Sequence, residues 1–141
     1  SDGGYLDSSF NVQISEVLST LGKGGHIITA VDTSTIGEAI TLMEEKGISQ
    51  LPVISKTGDI LGLCTEKNLI KPVIMGEFEK DDNISLAISN NYRVVDCNEL
   101  LETVADALLK KETAIITKDG KITDVLSEID VLQYMSEKGA Y

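Results

Sequence analysis

The sequence predicts an α/β fold made of two related halves, each a small mixed sheet with packed helices. The first observation is that hydrophobic spacing changes along both halves, from helical to strand-like and back. The second is a strand–turn–strand segment that occurs twice. The third is size, since 141 residues with 42% hydrophobic content suffice for one modest domain or two small halves sharing a core.

The strand–turn–strand segment gives the clearest evidence of repetition. Residues 51–65 (LPVISKTGDILGLCT) align without a gap on residues 113–127 (TAIITKDGKITDVLS). Both turns carry a lysine and a glycine at matching positions. Repetition at a period of about 60 residues indicates a duplicated unit.

A predicted helix precedes each of these hairpins. The first is expected to start at Asp32–Ser34, with Glu38 one turn later, and to stop at Gly47. The two helices align at an offset of 65 residues, whereas the hairpins align at 62. Three residues of the first helix–strand joint (EKGISQLP) therefore have no counterpart in the second (KKETA), so the halves are related but not equivalent. The matching apolar stripes are Ile36, Ala39, Ile40 and Met43, and Leu101, Val104, Ala105 and Leu108.

Further elements surround these cores. Apolar residues at helical spacing predict a helix within 11–22, and HIITAV predicts a strand over 26–31. A helix is expected from Glu66 until Pro72 bends or ends it. The second half is expected to have a strand over 92–96 and a closing helix over 128–139.

The repeat divides the chain into four segments. Residues 1–11 are predicted to be a linker and residues 12–76 the first motif. The charged residues 77–82 (EFEKDD) are predicted to connect it to the second motif, residues 83–141.

Charge and composition exclude several classes of partner. Twelve basic against 23 acidic residues give a net charge of −11, which argues against a surface for nucleic acid or for anionic membranes. No apolar run approaches the length of a membrane span and no signal-peptide pattern opens the chain, so we expect a cytoplasmic protein. Cys64 and Cys97 lie far apart without a CxxC pattern, and we expect buried thiols, with a disulfide as the alternative.

The sequence offers no catalytic constellation. It contains no phosphate-binding Walker loop, no GxSxG or HExxH motif and no cluster typical of a metal site. The one histidine, His26, opens a predicted strand and is interpreted as a polar strand-edge residue rather than a catalytic base. We expect no catalytic residue, no bound metal and no enzyme in this stretch alone.

A short polar pattern follows each hairpin, with a hydroxyl residue three positions before a second polar residue. The pairs are Ser127 with Asp130, and Thr65 with Asn68. A carboxylate at the start of a helix can accept hydrogen bonds from both hydroxyls of a ribose. The hydroxyl residue and the free N–H groups of the helix start can hold the polar tail of a ligand. The same spacing is also an ordinary helix cap, and the residues alone leave both interpretations open.

These features together resemble a tandem pair of CBS domains, often called a Bateman module. The resemblance covers about residues 12–137 and rests on the repeat, on GISQLPV with GDILGLCT, and on the polar pattern after each hairpin. It implies two CBS motifs related by pseudo-two-fold symmetry and a regulatory, ligand-sensing role. It also implies that adenosine-containing ligands bind in grooves between the motifs and that the protein forms a homodimer through them.

In this family each groove takes its ribose-binding residues from one motif and its adenine cradle from the joint of the other. The resemblance thus pairs the second motif with the full-length first joint, although Ile48 could equally be a plain core residue. The other groove, with Thr65 and Asn68, faces the shortened joint at 110–112 and is expected to be weak or blocked. The ligand-binding residues implied for the first groove are Ile48, Ser49, Gln50, Val125, Ser127, Ile129 and Asp130.

Within the family, the pattern is most similar to the C-terminal regulatory region of pyridoxal-phosphate enzymes that condense serine with homocysteine. That similarity implies S-adenosylmethionine as ligand and a catalytic domain in the same polypeptide as partner, with pyridoxal phosphate bound there and no cofactor in this stretch. AMP or ATP would want a cation near Ser127, where Glu128 and Asp124 stand instead. Asp124 occupies the position of Gly62 in the first motif and departs from the pattern. An adenine-nucleotide sensor of another enzyme or transporter, and a ligand-free oligomerisation module, remain the alternatives.

Overall fold

The computed structural model describes residues 11–110 and 113–139. The chain packs into two compact units. Unit I is Ile28–Asn91, and unit II consists of the described residues on either side of it, 11–27, 92–110 and 113–139. Each unit is a small mixed sheet with helices, which confirms the predicted fold class.

The elements follow one another in the order expected for a duplicated α/β unit. Two single-turn 3₁₀ helices, Ile84–Ala87 and Leu101–Val104, stand among the α-helices and strands. The latter are α1 (Ile14–Thr20), β1 (Ala30–Val31), α2 (Ile36–Lys46), β2 (Gln50–Ile54), β3 (Ile60–Thr65), α3 (Glu66–Ile74), β4 (Ile88–Ser89), β5 (Tyr92–Asp96), α4 (Ala105–Leu109), β6 (Thr113–Lys118), β7 (Lys121–Leu126) and α5 (Glu128–Glu137).

Unit I contains a four-stranded sheet in the order β1-β2-β3-β4. Strand β1 runs parallel to β2, and the other two pairs are antiparallel. Helix α2 packs an apolar face on this sheet, as its 3.6-residue periodicity predicts. The buried core of the unit consists of Ala30, Ile36, Ala39, Met43, Leu51, Val53, Cys64, Leu69, Ile84 and Ala87.

The ends of α2 show how local sequence sets an element. Thr35 caps the helix by accepting a hydrogen bond from the Glu38 N–H (3.1 Å), while the Glu38 carboxylate accepts one from the Thr35 N–H (2.8 Å). The helix thus starts just after the predicted Asp32–Ser34, because the residue three positions before Glu38 completes the box. It ends at Gly47, as predicted, whose φ of 64° is open to glycine without strain.

Two sequence predictions in unit I need correction. The strand expected over 26–31 is only Ala30–Val31, so His26 lies outside it. The helix expected to bend or end at Pro72 does not end there but continues to Ile74. Since a proline removes only one N–H, the last turn of a helix can still accommodate it.

Unit II contains a three-stranded sheet in the order β5-β6-β7. Strand β5 is parallel to β6, and β6 is antiparallel to β7. The helix expected before β6 begins as the 3₁₀ turn Leu101–Val104 and is α-helical only over Ala105–Leu109. The buried core consists of Ile14, Val17, Leu18, Val95, Cys97, Leu101, Val104, Leu108, Ala114, Ile116, Leu126, Tyr134 and Met135.

Strand register corrects the alignment of the two hairpins. Val53 pairs with Gly62 in unit I, and Ile116 pairs with Asp124 in unit II. The outgoing strands therefore keep the offset of 62 residues, but the incoming strands are offset by 63 (116 − 53). One of the three missing residues is consequently lost at the hairpin turn, and two are lost at the helix–strand joint.

The N-terminal helix packs in unit II although the repeat assigns it to the first motif. The Leu101 N–H donates to the Val12 carbonyl (2.7 Å), and the Ile14 N–H donates to the Glu99 carbonyl (2.9 Å). The Tyr134 hydroxyl adds a bond to the Glu16 carboxylate (3.0 Å). Helix α1 thereby covers the second sheet.

Unit I receives the matching segment from the start of the second motif. The Ile84 N–H donates to the Ser34 carbonyl (2.9 Å), and the Ile36 N–H donates to the Asp82 carbonyl (2.8 Å). These bonds repeat those around Val12 and Leu101 in the other unit. The sequence repeats and the packing units are thus two different divisions of the chain.

Gly62 is required by the fourth strand of unit I. A Cβ on Gly62 would lie 2.9 Å from the Ile88 Cβ and 3.0 Å from the Ser89 carbonyl oxygen, closer than packed atoms approach. Strand β4 runs past β3 at this point, and no side chain fits between them.

We expect Gly62→Ala to lower the free energy of unfolding by about 1–3 kcal/mol, because the added methyl group displaces β4. Urea denaturation measures the change. Gly24→Ala is the matched control, since the nearest atom to its Cβ would be His26 Cδ2 at 3.4 Å. Equal stability of the two variants would contradict the close approach of β4.

Candidate functional site around Ser127 and Asp130

Asp130 lies in the first turn of α5 and already has partners within the chain. Ser127 is extended at the end of β7, and its N–H and hydroxyl both donate to Asp130 Oδ2, at 2.9 and 3.0 Å. The carboxylate thereby caps the helix. The structure therefore shows the capping interpretation. Within the described residues the other oxygen of Asp130, Oδ1, has no hydrogen-bond partner.

A lysine that the sequence pattern did not reveal approaches the same carboxylate. Lys23 Nζ lies 3.7 Å from Asp130 Oδ2 and donates to the Val125 carbonyl at 3.3 Å. The expectation that no cation stands near Ser127 is therefore wrong. Lys23 is 102 residues from Val125, and only the packing of the N-terminal segment in unit II brings the two together.

Asp124 adds a second carboxylate to this region. Its side chain is on β7 and the residue is only 9% exposed. Burial raises the pKa of the Asp124 carboxyl above its usual value. The Thr123 hydroxyl, the Lys23 ammonium, the Gly25 N–H and His26 act in the opposite direction. Lys23 therefore interacts electrostatically with two carboxylates, those of Asp130 and Asp124.

The apolar residues predicted for this part of the site differ in exposure. Val125 is half-buried and pairs with Ile115 on β6, so its position is fixed by the sheet. Ile129 is 68% exposed in the first turn of α5. The structure thus brings Val125, Ser127, Ile129 and Asp130 together at the junction of β7 and α5.

The remaining predicted residues lie in unit I, at the start of β2. Ile48 is partly buried and packs against the core of that unit, as its alternative interpretation holds. The Ser49 carbonyl accepts a hydrogen bond from the Glu66 N–H (2.9 Å), and Gln50 pairs with Thr65 across the sheet. Within unit I, this joint therefore adjoins the polar pattern of its own motif.

Thr65 and Asn68 form a different cap from Ser127 and Asp130. The Thr65 hydroxyl accepts a hydrogen bond from the Asn68 N–H (3.1 Å). In unit II the Ser127 hydroxyl also caps the Asp130 backbone, and the Asp130 carboxylate additionally accepts from the Ser127 N–H, which completes a capping box. Of the shortened joint, Lys110 is exposed, and Lys111 and Glu112 lie outside the described residues.

Other reactive groups stand apart from these residues. Cys64 and Cys97 are free and buried, and burial raises the pKa of the Cys64 thiol to about 11. Over 11–110 and 113–139, no group of three or more His, Cys, Asp or Glu side chains could hold a metal ion. In the same ranges no helix has the length and apolar character needed to cross a bilayer.

The comparisons with known proteins point to one domain family. Residues 14–74 match the family model described as CBS domain. The chain is 26% identical over 113 residues to the cystathionine beta-synthase of Dictyostelium discoideum, covering 77% of this chain and 23% of that protein. It is 25% identical over 105 residues to the A-adding tRNA nucleotidyltransferase of Aquifex aeolicus, covering 73% of this chain and 12% of that protein.

The fold has solved counterparts. A CBS-domain containing protein from Agrobacterium tumefaciens superposes with a TM-score of 0.74 at 21% identity, covering 86% of this chain and 92% of that one. The chain spans about a quarter or less of the length of the curated relatives named above. The similarity to this solved structure shows the fold and does not identify a ligand.

The buried Asp124 gives a pH-dependent prediction. An unfolded aspartate titrates near pH 3.9, whereas the folded protein retains this proton to higher pH, so the stability contributed by the protonated carboxyl is lost as pH rises through the folded pKa. We expect the stability of Asp124→Asn relative to the natural protein to rise between about pH 4 and about pH 7. Urea unfolding across that range measures it, with the exposed Asp81→Asn as control. A pH-independent difference for Asp124→Asn would contradict the assignment.

Proposed function

Because the chain is a CBS-domain protein, we propose that it is a regulatory module that binds S-adenosylmethionine beside Ser127 and Asp130. In this proposal the ligand modulates a pyridoxal-phosphate enzyme of the cystathionine β-synthase type, to which the module belongs. The observation that carries the proposal is Asp130, a largely buried carboxylate (19% exposed) at a helix start with one oxygen available.

The carboxylate has the chemistry to bind a ribose. Two vicinal hydroxyls can donate to the two oxygens of one carboxylate, and such bonds to a charged acceptor are stronger than neutral ones. Oδ1 of Asp130 is available, and rotation of the Ser127 hydroxyl makes Oδ2 available as well. The released hydroxyl and the N–H groups of the first turn of α5 can then hold the polar tail of the ligand.

The adenine is assigned by the family resemblance, and this assignment is part of the proposal. Ile48 contributes an apolar contact to the purine, and the polar groups of Ser49 and Gln50 read its edge. Val125 and Ile129 supply apolar contacts near the ribose. Ile129 is highly exposed, and this supports its proposed contact with the ligand because it offers apolar surface beside Asp130.

Charge supports a ligand without phosphate. Lys23 is the cation nearest to Asp130 among the described residues, and it is shared between Asp130 and Asp124. Glu128 adds another acidic side chain at the helix start. A sulfonium with a zwitterionic tail needs no further cation, whereas a phosphate group needs at least one that is not already paired.

Lys23 is also the observation that favours a second candidate, an adenine-nucleotide sensor. An ammonium 3.7 Å from the carboxylate could turn toward a phosphate instead. The similarity to a tRNA nucleotidyltransferase supports a parent other than cystathionine β-synthase.

The proposed parent rests on relatives named cystathionine beta-synthase, for example in Dictyostelium discoideum and Mus musculus. This chain covers 23% and 16% of those two proteins, so the catalytic domain would lie elsewhere in the same polypeptide. A ligand shifts such an enzyme only through different affinities for its conformations. The module therefore acts by population shift in this proposal.

Calorimetric titration with S-adenosylmethionine, AMP and ATP tests the ligand. We expect saturable binding of S-adenosylmethionine, weakened about tenfold or more by Asp130→Asn, because the amide lacks the charge that strengthens the ribose bonds. Asn68→Ala is the matched control and should leave the affinity within about twofold of the natural value, since the first-motif groove is expected to be weak.

Each other result decides between candidates. Binding of AMP or ATP alone would establish the nucleotide sensor and exclude the first proposal. Equal weakening by Asp130→Asn and Asn68→Ala would show two working grooves. If none of the three ligands binds measurably, the result would support a ligand-free oligomerisation module.

Self-association is the second part of the proposal and is supported by an apolar surface on unit I. Helices α2 and α3 border a cavity of about 220 Å³ lined mainly by apolar side chains. The end of α3 exposes further apolar residues, which is unusual for a face that stays in water. These exposed residues are Ile70, Val73, Ile74 and Met75.

We expect the protein to form a homodimer that Ile74→Glu weakens by tenfold or more, because a buried unpaired charge is costly at an apolar interface. Ile74 is 77% exposed within the chain, so the change should spare the fold. Sedimentation velocity over a concentration series measures the dimer. Leu86→Glu, at another exposed apolar position (60%) on the 3₁₀ turn, is the control. A monomeric natural protein, or equal weakening by both variants, would reject this surface.

A further inference from the structure

We propose that Lys23 determines which class of adenosyl ligand the Ser127–Asp130 site prefers, by acting as the internal counter-charge of Asp130. The inference rests on the proposed function, because it concerns the same site. Lys23 lies between α1 and β1, in a segment to which the sequence pattern assigned no role.

The ammonium is held in place by groups from two elements. Lys23 Nζ donates to the Val125 carbonyl at the end of β7 (3.3 Å) and lies 3.7 Å from Asp130 Oδ2 on α5. Its side chain is only one-third exposed (33%). Water and salt therefore screen this charge less completely than that of a lysine on the open surface.

Asp124 adds a second carboxylate to the charges around this lysine. The Asp124 carboxyl is buried on β7, and Lys23 is one of the groups that favour its ionised form. Lys23 thus compensates two acidic groups, and Glu128 stands exposed beside them. Removing the ammonium leaves an uncompensated negative field at the start of α5.

The ligand experiences this field directly. A ribose bound to Asp130 is shorter than the Debye length of about 8 Å at physiological salt, so the substituent on its 5′ carbon lies within range of Lys23. The ammonium attracts a phosphate there and repels a sulfonium. Lys23 therefore sets the balance between anionic and cationic adenosyl ligands, and the ribose bonds to Asp130 contribute equally to both.

Two ligand pairs isolate this effect. S-adenosylmethionine and S-adenosylhomocysteine differ by one methyl group and the positive charge that it places on sulfur, and AMP and adenosine differ by the phosphate. In Lys23→Gln, we expect the preference for S-adenosylmethionine over S-adenosylhomocysteine to rise about three- to tenfold, and the preference for AMP over adenosine to fall by a similar factor. Calorimetry gives the four affinities, and whichever pair binds supplies the test.

Two further variants serve as controls. Lys23→Arg keeps the charge and should keep the natural ratios within about twofold. Lys121→Gln removes the same charge from the exposed start of β7 and should also leave them unchanged. In about 1 M salt the Debye length falls to about 3 Å, so the shift in Lys23→Gln should shrink.

Ratios within one variant cancel any uniform loss of affinity from partial unfolding. Ratios in Lys23→Gln that stay within twofold of the natural protein, or that move equally in Lys121→Gln, would overturn the role of Lys23 while leaving the proposed site intact. Failure of the natural protein to bind any of the four ligands would overturn the proposed function and this inference with it.

Discussion

Each unit depends on a backbone-bonded segment that the sequence repeat assigns to the other half. Val12 and Ile14 bond to Leu101 and Glu99 in unit II, and Asp82 and Ile84 bond in the same way in unit I. A small sheet gains its stability by covering its apolar face with other elements. The exchanged segment supplies the missing face, since Ile14 and Ile84 are both fully buried. The exchanged segments therefore contribute to the buried core of both units.

The exchanged segments end differently, and this difference creates the site. In unit I the chain continues into β4, whose approach to β3 leaves room only for Gly62. In unit II the segment after α1 reaches β7 through the Lys23 ammonium and the Gly25 N–H instead. This looser contact leaves room for the buried carboxylate of Asp124 at the position equivalent to Gly62. Lys23, Asp124 and Asp130 thus lie together because the β7 edge of the sheet in unit II is closed by side chains rather than by a strand.

The sequence predicted the fold class and most strands, because periodicity and turn residues report local structure. It placed β5 with its observed bounds and ended α2 at Gly47. It could not predict that α1 packs in unit II or that Lys23 meets Asp130, since neither depends on neighbouring residues. The gapless alignment also concealed a one-residue shift, because strand pairing and not residue similarity sets register. The joining of Asp130 to Ser127 was foreseen, as its spacing is local.

In the proposed function Asp130 both caps α5 and binds the ligand, so the two roles compete for one carboxylate. Asp130 accepts hydrogen bonds from the Ser127 N–H and hydroxyl and lies beside Lys23, so its own charge is paired at the helix start. A ribose has to replace the hydroxyl bond and share the carboxylate with Lys23. Part of its binding energy is offset by these lost bonds, which lowers the affinity. Ligand binding of the proposed kind would change the contacts at the β7–α5 junction, and such a change is what a regulatory module needs in order to shift an equilibrium.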